Sequence, residues 1–128
     1  MLKSNMIKSY ILFCLIFILV DYLYLSSTAS FFNSQIRSIQ GSPIKLNMIS
    51  TFLCYIFLTT GIFYFAIYKE LTIIECALLG AFVYGVFETT SHAIFNKWNW
   101  NTVVIDTIWG AVLFSLTVFI HRKLSKYI

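Results

Sequence analysis

Long apolar runs of near-uniform length, separated by short polar intervals, dominate this chain. Four stand out, at about 8–27, 48–68, 72–95 and 102–121. Each is close to the ~20 residues that a helix needs to cross the hydrocarbon layer of a bilayer. A lone strand in lipid would leave its backbone groups unpaired, so the runs are read as helices. The predicted fold is all-α, a four-helix transmembrane bundle forming one integral membrane domain over residues 1–128.

The polar intervals refine this outline. Only Lys69, Glu70 and Leu71 separate the second and third runs, which makes those helices antiparallel neighbours. Thr72 and Glu75 have the N-cap and N3 spacing of a capping box, and that role is preferred for Glu75 over a place in a functional site. The longest interval, 28–47, begins TASFFNSQIRSIQGSP. Its Phe31, Phe32, Gln35, Ile36 and Ile39 predict a short amphipathic interfacial helix between helices one and two, ended by Gly41 and Pro43. A plain loop is the alternative. Lys3 and Lys8, the first run and SSTAS also imitate a signal peptide. Asp21 inside the run and the three later runs favour a retained helix.

Composition agrees with the pattern. Hydrophobic residues make up 59% of the chain and charged residues 11%, and mean hydropathy is +0.83. Soluble domains carry about 25% charged residues. The net charge of +4 resides at segment ends, which reads as membrane topology and argues against nucleic-acid binding. Lys3, Lys8, Lys69, Arg122, Lys123 and Lys126 fall on one side, and Arg37, Lys45 and Lys97 on the other. This excess predicts that both termini are cytoplasmic. Trp98 and Trp100, amid Asn96, Lys97, Asn99 and Asn101, read as interfacial anchors, and His121 with Arg122 and Lys123 as a solvated flank. Cys14, Cys54 and Cys76 lie in apolar runs without metal or CxxC spacing and read as packing residues.

Candidate chemistry comes from acids inside the apolar runs. Asp21, Glu88 and Asp106 stand about six, seven and four residues from the same end of the first, third and fourth helices. At 1.5 Å per residue they share one layer, roughly 6 to 11 Å deep. Buried carboxylates are costly unless protonated, paired or hydrated, so they mark a candidate site. Tyr84, Glu88, Ser91 and His92 share a helix face, as do Asp21 and Tyr24, and Asp106 and Trp109. Gly80, Gly85 and Gly110 permit close helix approach. Apart from Lys8 at the opposite end of the first run, no Lys or Arg lies within the runs to neutralise the layer, and His92 is the sole basic candidate. Three such carboxylates cannot all stay charged without a proton or a cation among them. The bland reading is that they bond protein groups and fix helix register. Glu88 and His92 at i, i+4 are one residue wider than the Glu-x-x-His di-metal motif, so no metal is assigned. No nucleophile motif, phosphate loop or cofactor signature occurs, and no cofactor is expected.

The segment YGVFETTSHAIFNKWNWNTVVIDTIWG resembles the signature of the DUF2177 family, small membrane proteins without an assigned activity. Tyr84, Gly85, Glu88, Thr90, Trp98, Asp106, Trp109 and Gly110 match it in order and spacing, and Asp21, Tyr24 and Leu25 match a motif in helix one. Glu88 replaces an Asp, Phe87 a Tyr and Ser91 an Asn, and His92 stands where an aliphatic is usual. The resemblance implies a four-helix membrane protein in which Asp21, Glu88 and Asp106 form a set.

Three functions remain open. The first is a ligand-binding protein, transporter or channel whose carboxyl layer takes a proton, a cation or an amine. Asp21, Glu88 and Asp106 would supply charge, and Tyr24, Tyr84, Ser91, His92 and Trp109 would line the site. The second is a membrane enzyme of sterol-isomerase-like type that uses the acids for proton transfer, an architectural analogy. The third is an assembly subunit of a larger membrane complex. The expected partners are the lipid bilayer, a small cationic ligand or proton, and further copies or subunits.

Overall fold

A computed structural model describes residues 2–128, with side chains from residue 4 onward, so the side chain of Lys3 lies outside the described residues. The described chain is predominantly helical, without strands. Helix α1 spans Leu2–Ser27, α2 Ala29–Gln40, α3 Met48–Ile62, α4 Ile73–Ile94 and α5 Trp100–Leu124. A π-helical stretch, Phe63–Tyr68, prolongs α3, and a 3-10 turn, Ser125–Tyr127, follows α5. Four segments are long and apolar enough to cross a membrane: Ser4–Ser27, Met48–Tyr68, Ile73–Ile94 and Trp100–Tyr127. They coincide with the four predicted runs to within a few residues, apart from the longer C-terminal end of the last.

Local signals account for the boundaries. The Asn47 side chain accepts the Ser50 backbone N–H at 3.1 Å and opens α3. The capping box at α4 is complete: Glu75 N–H donates to Thr72 Oγ1 at 3.1 Å, and Thr72 N–H donates to Glu75 Oε2 at 2.8 Å. The interfacial segment is helical, as α2. Gly41 ends it at φ 77°, a left-handed conformation that glycine adopts without a Cβ penalty.

Both termini sit at one end of the bundle, here the terminal face; α2 and the α4–α5 turn lie at the other, the distal face. Helices α4 and α5 cross most closely. A Cβ added at Gly80 would lie 2.0 Å from the Gly110 carbonyl oxygen, and one at Gly110 would lie 2.5 Å from that of Gly80. Gly85 differs from expectation, because its Cβ would only touch Thr107 at 3.5 Å. Phe13, Phe17, Leu113, Phe114 and Val118 form a closed apolar core toward the terminal half.

The outer surface reverses the soluble pattern. Leu15, Leu19, Phe57, Ile74, Phe82 and Val86 are exposed, whereas Asp21, Gln35, Glu88, Thr102 and Thr117 are buried. Lipid solvates such apolar surface, and interhelical contacts then gather polar and small groups. His121 departs from its expected place on a solvated flank. Only 2% exposed, it packs against Phe13 and Phe63, and its Nε2 lies 3.0 Å from Ser9 Oγ. This contact joins the two ends of the chain. The neighbouring Arg122 donates to the carbonyls of Ala66, at 3.0 Å, and Leu71, closing the end of the α3 rod. Cys76 is buried as a packing residue, while Cys54 is exposed on α3.

Candidate carboxyl site

Four helices contribute to one polar layer near the distal face. Asp21, projecting from α1, accepts from two aromatic donors. Trp109 Nε1–H of α5 reaches Oδ1 at 3.1 Å, and the Tyr55 hydroxyl of α3 reaches Oδ2 at 2.5 Å. Both carboxylate oxygens are thus occupied, and Asp21 ties α1, α3 and α5 together. Charge-assisted bonds of this kind are about twice as strong as neutral ones.

Glu88 and Asp106 are arranged differently. Glu88, only 1% exposed on α4, accepts Trp98 Nε1–H at Oε2, 2.8 Å away. Asp106 on α5 accepts the Tyr24 hydroxyl at Oδ1, 3.2 Å away. The two carboxyl groups lie within hydrogen-bonding reach of each other. Tyr24 stacks on Trp109, with centroids 4.2 Å apart and planes 10° from parallel, so the bond to Asp106 comes from a fixed ring. Two carboxylates in such contact repel, whereas one carboxylic acid and one carboxylate form a short, strong bond.

These groups line a cavity of about 280 Å³. Asp21, Glu88 and Asp106 all border it, with Tyr24, Tyr84, Trp98 and Trp109. Phe32 and Ile36 of α2 and Ile44 roof it from the distal face. No Lys, Arg or His is among its lining residues. Among the described residues no group of three His, Cys, Asp or Glu side chains is close enough to hold a metal ion.

The other two expected lining residues lie elsewhere. Ser91 is buried, but its hydroxyl donates to the Phe87 carbonyl of its own helix at 2.9 Å. The His92 ring rests against exposed Trp100, centroids 4.0 Å apart. Neither borders the cavity.

Three participants were not foreseen. Trp98 was read as an interfacial anchor; it is instead buried and bonded to Glu88. Tyr55 gave no sequence signal among the aromatics of α3. Gln35 was placed on the amphipathic face of α2 with no partner assigned. It is buried, and its side chain holds the α4–α5 turn. Its Nε2 donates to Lys97 O at 2.7 Å, and its Oε1 accepts Asn99 N–H at 2.9 Å and Thr102 Oγ1–H at 2.8 Å. One amide therefore fastens the roof helix to the element that presents Trp98 and α5.

The fold and the site define a small polytopic membrane protein with an acidic, aromatic-lined chamber near one face. Residues 6–121 match the family model described as predicted membrane protein (DUF2177), and the chain belongs to that family. Comparisons with curated proteins and with solved structures find no match.

Proposed function

We propose that this protein binds a small organic cation of the amine class in its carboxyl chamber, in exchange for a proton held between Glu88 and Asp106. The observation that carries this reading is the cavity lining: three carboxyls and six aromatic rings, without one basic side chain. Asp21 is held by one donor on each oxygen and acts as the fixed wall. Apart from the bond between them, Glu88 and Asp106 accept one donor each, from Trp98 and Tyr24. An ammonium group brings further donors, and the Tyr24–Trp109 stack offers a ring face for cation–π contact. The proton released to the medium keeps the chamber near its original charge. Among the described residues no three-ligand cluster occurs, which favours an amine over a metal ion.

The apolar core between the chamber and the terminal face favours binding over conduction. The side chains of Phe13, Phe17, Leu113, Phe114 and Val118 are buried together there. Transport would require this layer to part. The basic excess at the terminal face supports cytoplasmic termini, with the chamber in the opposite leaflet. A second reading, proton transfer to an apolar substrate, is favoured by the contact between Glu88 and Asp106, since one acid and one base side by side are what such chemistry needs.

The test is titration of the protein in lipid nanodiscs with butylamine and with butanol, followed by tryptophan fluorescence. Trp98 and Trp109 report directly on the chamber. A saturable response to butylamine, absent with butanol and weakened at least about tenfold in Asp106→Asn, is expected; a tenfold loss corresponds to ~1.4 kcal/mol, near the low end of a hydrogen bond to a charged group. Equal responses to both compounds, or none to either, would refute the reading.

A further inference from the structure

A second cavity, of about 240 Å³, adjoins the chamber. It lies between α3 and α4, lined by Cys54 and Leu58 on one side and Val83, Tyr84 and Phe87 on the other, with Asp106 at its inner end. Tyr84, Phe87 and Asp106 border both cavities. Cys54, Val83 and Phe87 are exposed on the flank of the bundle, so this cleft opens sideways into the hydrocarbon layer. Leu25 and Ile44, which also line the chamber, are exposed as well. The Tyr84 hydroxyl, at the junction, makes no hydrogen bond to protein among the described residues, while the other site hydroxyls, Tyr24 and Tyr55, both do.

We infer that the ligand is a cationic amphiphile, a single-chain amine that enters from the bilayer between α3 and α4. Its apolar chain occupies the cleft of Leu58, Val83 and Phe87, and its ammonium group reaches Asp106 and the Tyr84 hydroxyl. This rests on the amine reading of the chamber and narrows it. The walls carry the argument. The cleft is apolar until its inner end, where a carboxyl and an unsatisfied hydroxyl appear together. A chain loses little on leaving lipid for such a cleft, while a cationic head gains a carboxylate. A hydrophilic amine has no use for the lateral opening, and a neutral lipid has none for the carboxyl. At ~30 Å³ for each water-sized group, the cleft holds a chain of about eight carbons.

The test compares butylamine with decylamine on the wild-type protein and on two variants that fill the cleft from opposite walls, Val83→Trp and Cys54→Trp. Both positions face lipid, and retained butylamine binding in the same samples reports an intact chamber. Taking wild-type-to-variant ratios cancels the partition of decylamine into the nanodisc. The ratio is expected to stay near one for butylamine and to reach about tenfold or more for decylamine, the scale of an overpacked contact. Ratios near one for both amines, with butylamine still bound, would overturn the lateral route and leave the chamber reading standing. Failure of the wild-type protein to bind either amine would overturn both.

Discussion

Replacing Gln35 with Ala tests whether α2 is a fastened roof. The wild-type amide accepts from Asn99 N–H and Thr102 Oγ1–H and donates to Lys97 O, and its Nε2 also lies 3.3 Å from Ser38 Oγ. Gln35 is 4% exposed and Thr102 is fully buried, so water does not freely replace the lost partners. A net hydrogen bond contributes about 0.5–1.5 kcal/mol, and a buried group left unpaired costs about 1–3 kcal/mol. Three lost bonds across the interface give a ceiling of ~4.5 kcal/mol in net hydrogen bonding. Some water entry at the distal face brings the expected cost to about 2–3 kcal/mol. Detachment of α2 should then become roughly 30- to 150-fold more frequent, at 1.4 kcal/mol per factor of ten. Amide hydrogen exchange in nanodiscs reads this directly: protection should fall across 29–40 and 97–102 and persist in α1 and in the middle of α5. Gln35→Glu separates the partners, because it keeps an oxygen for Asn99 and Thr102 but sets a second acceptor against Lys97 O. It should lie between wild type and Gln35→Ala. Unchanged exchange over 29–40 in Gln35→Ala would refute the fastening role.

Other substitutions probe separate parts of the account. Gly80→Ala should lower thermal stability in detergent by about 1–3 kcal/mol through forced separation of α4 and α5, whereas Gly85→Ala, with its nearest contact at an ordinary 3.5 Å, should be tolerated. Tyr55→Phe removes one of the two donors to Asp21 and should cost about 1–2 kcal/mol in the same melt, without abolishing amine binding. An equal loss of binding would move Asp21 from fixed wall to ligand contact. Trp98→Phe should weaken butylamine binding only modestly, because it frees Glu88 without removing its charge. Complete loss would make the indole itself the contact.

Length and hydropathy were enough to place the four spans, because a bilayer imposes one dimension on any helix that crosses it. Depth along the helix axis is likewise linear in residue number, which is why Asp21, Glu88 and Asp106 could be set in one layer and do border one cavity. Rotation about the axis and the lean of each side chain are not linear in sequence. Helical side chains lean toward the N-terminus. Glu88 therefore shares its chamber with Tyr84, one turn before it, and not with Ser91 or His92. Ser91 turns its hydroxyl to its own backbone, an option that Ser and Thr always carry in helices. Trp98 and Trp100 look alike in sequence, yet one is buried on Glu88 and the other is exposed beside His92, a choice made by the path of the α4–α5 turn. Gln35 and Tyr55 required knowledge of which helices meet. His121 looked like a flank residue because its sequence neighbours are basic, but a helix alternates its faces, and this one turns inward to Ser9.

The most direct test of the shared proton and its exchange for a cation is infrared difference spectroscopy with and without butylamine. Loss of a protonated-carboxyl band on binding is the predicted result, with the band missing in both Glu88→Gln and Asp106→Asn. A spectrum without carboxyl change at saturating amine, or the same change in both variants, would contradict the account.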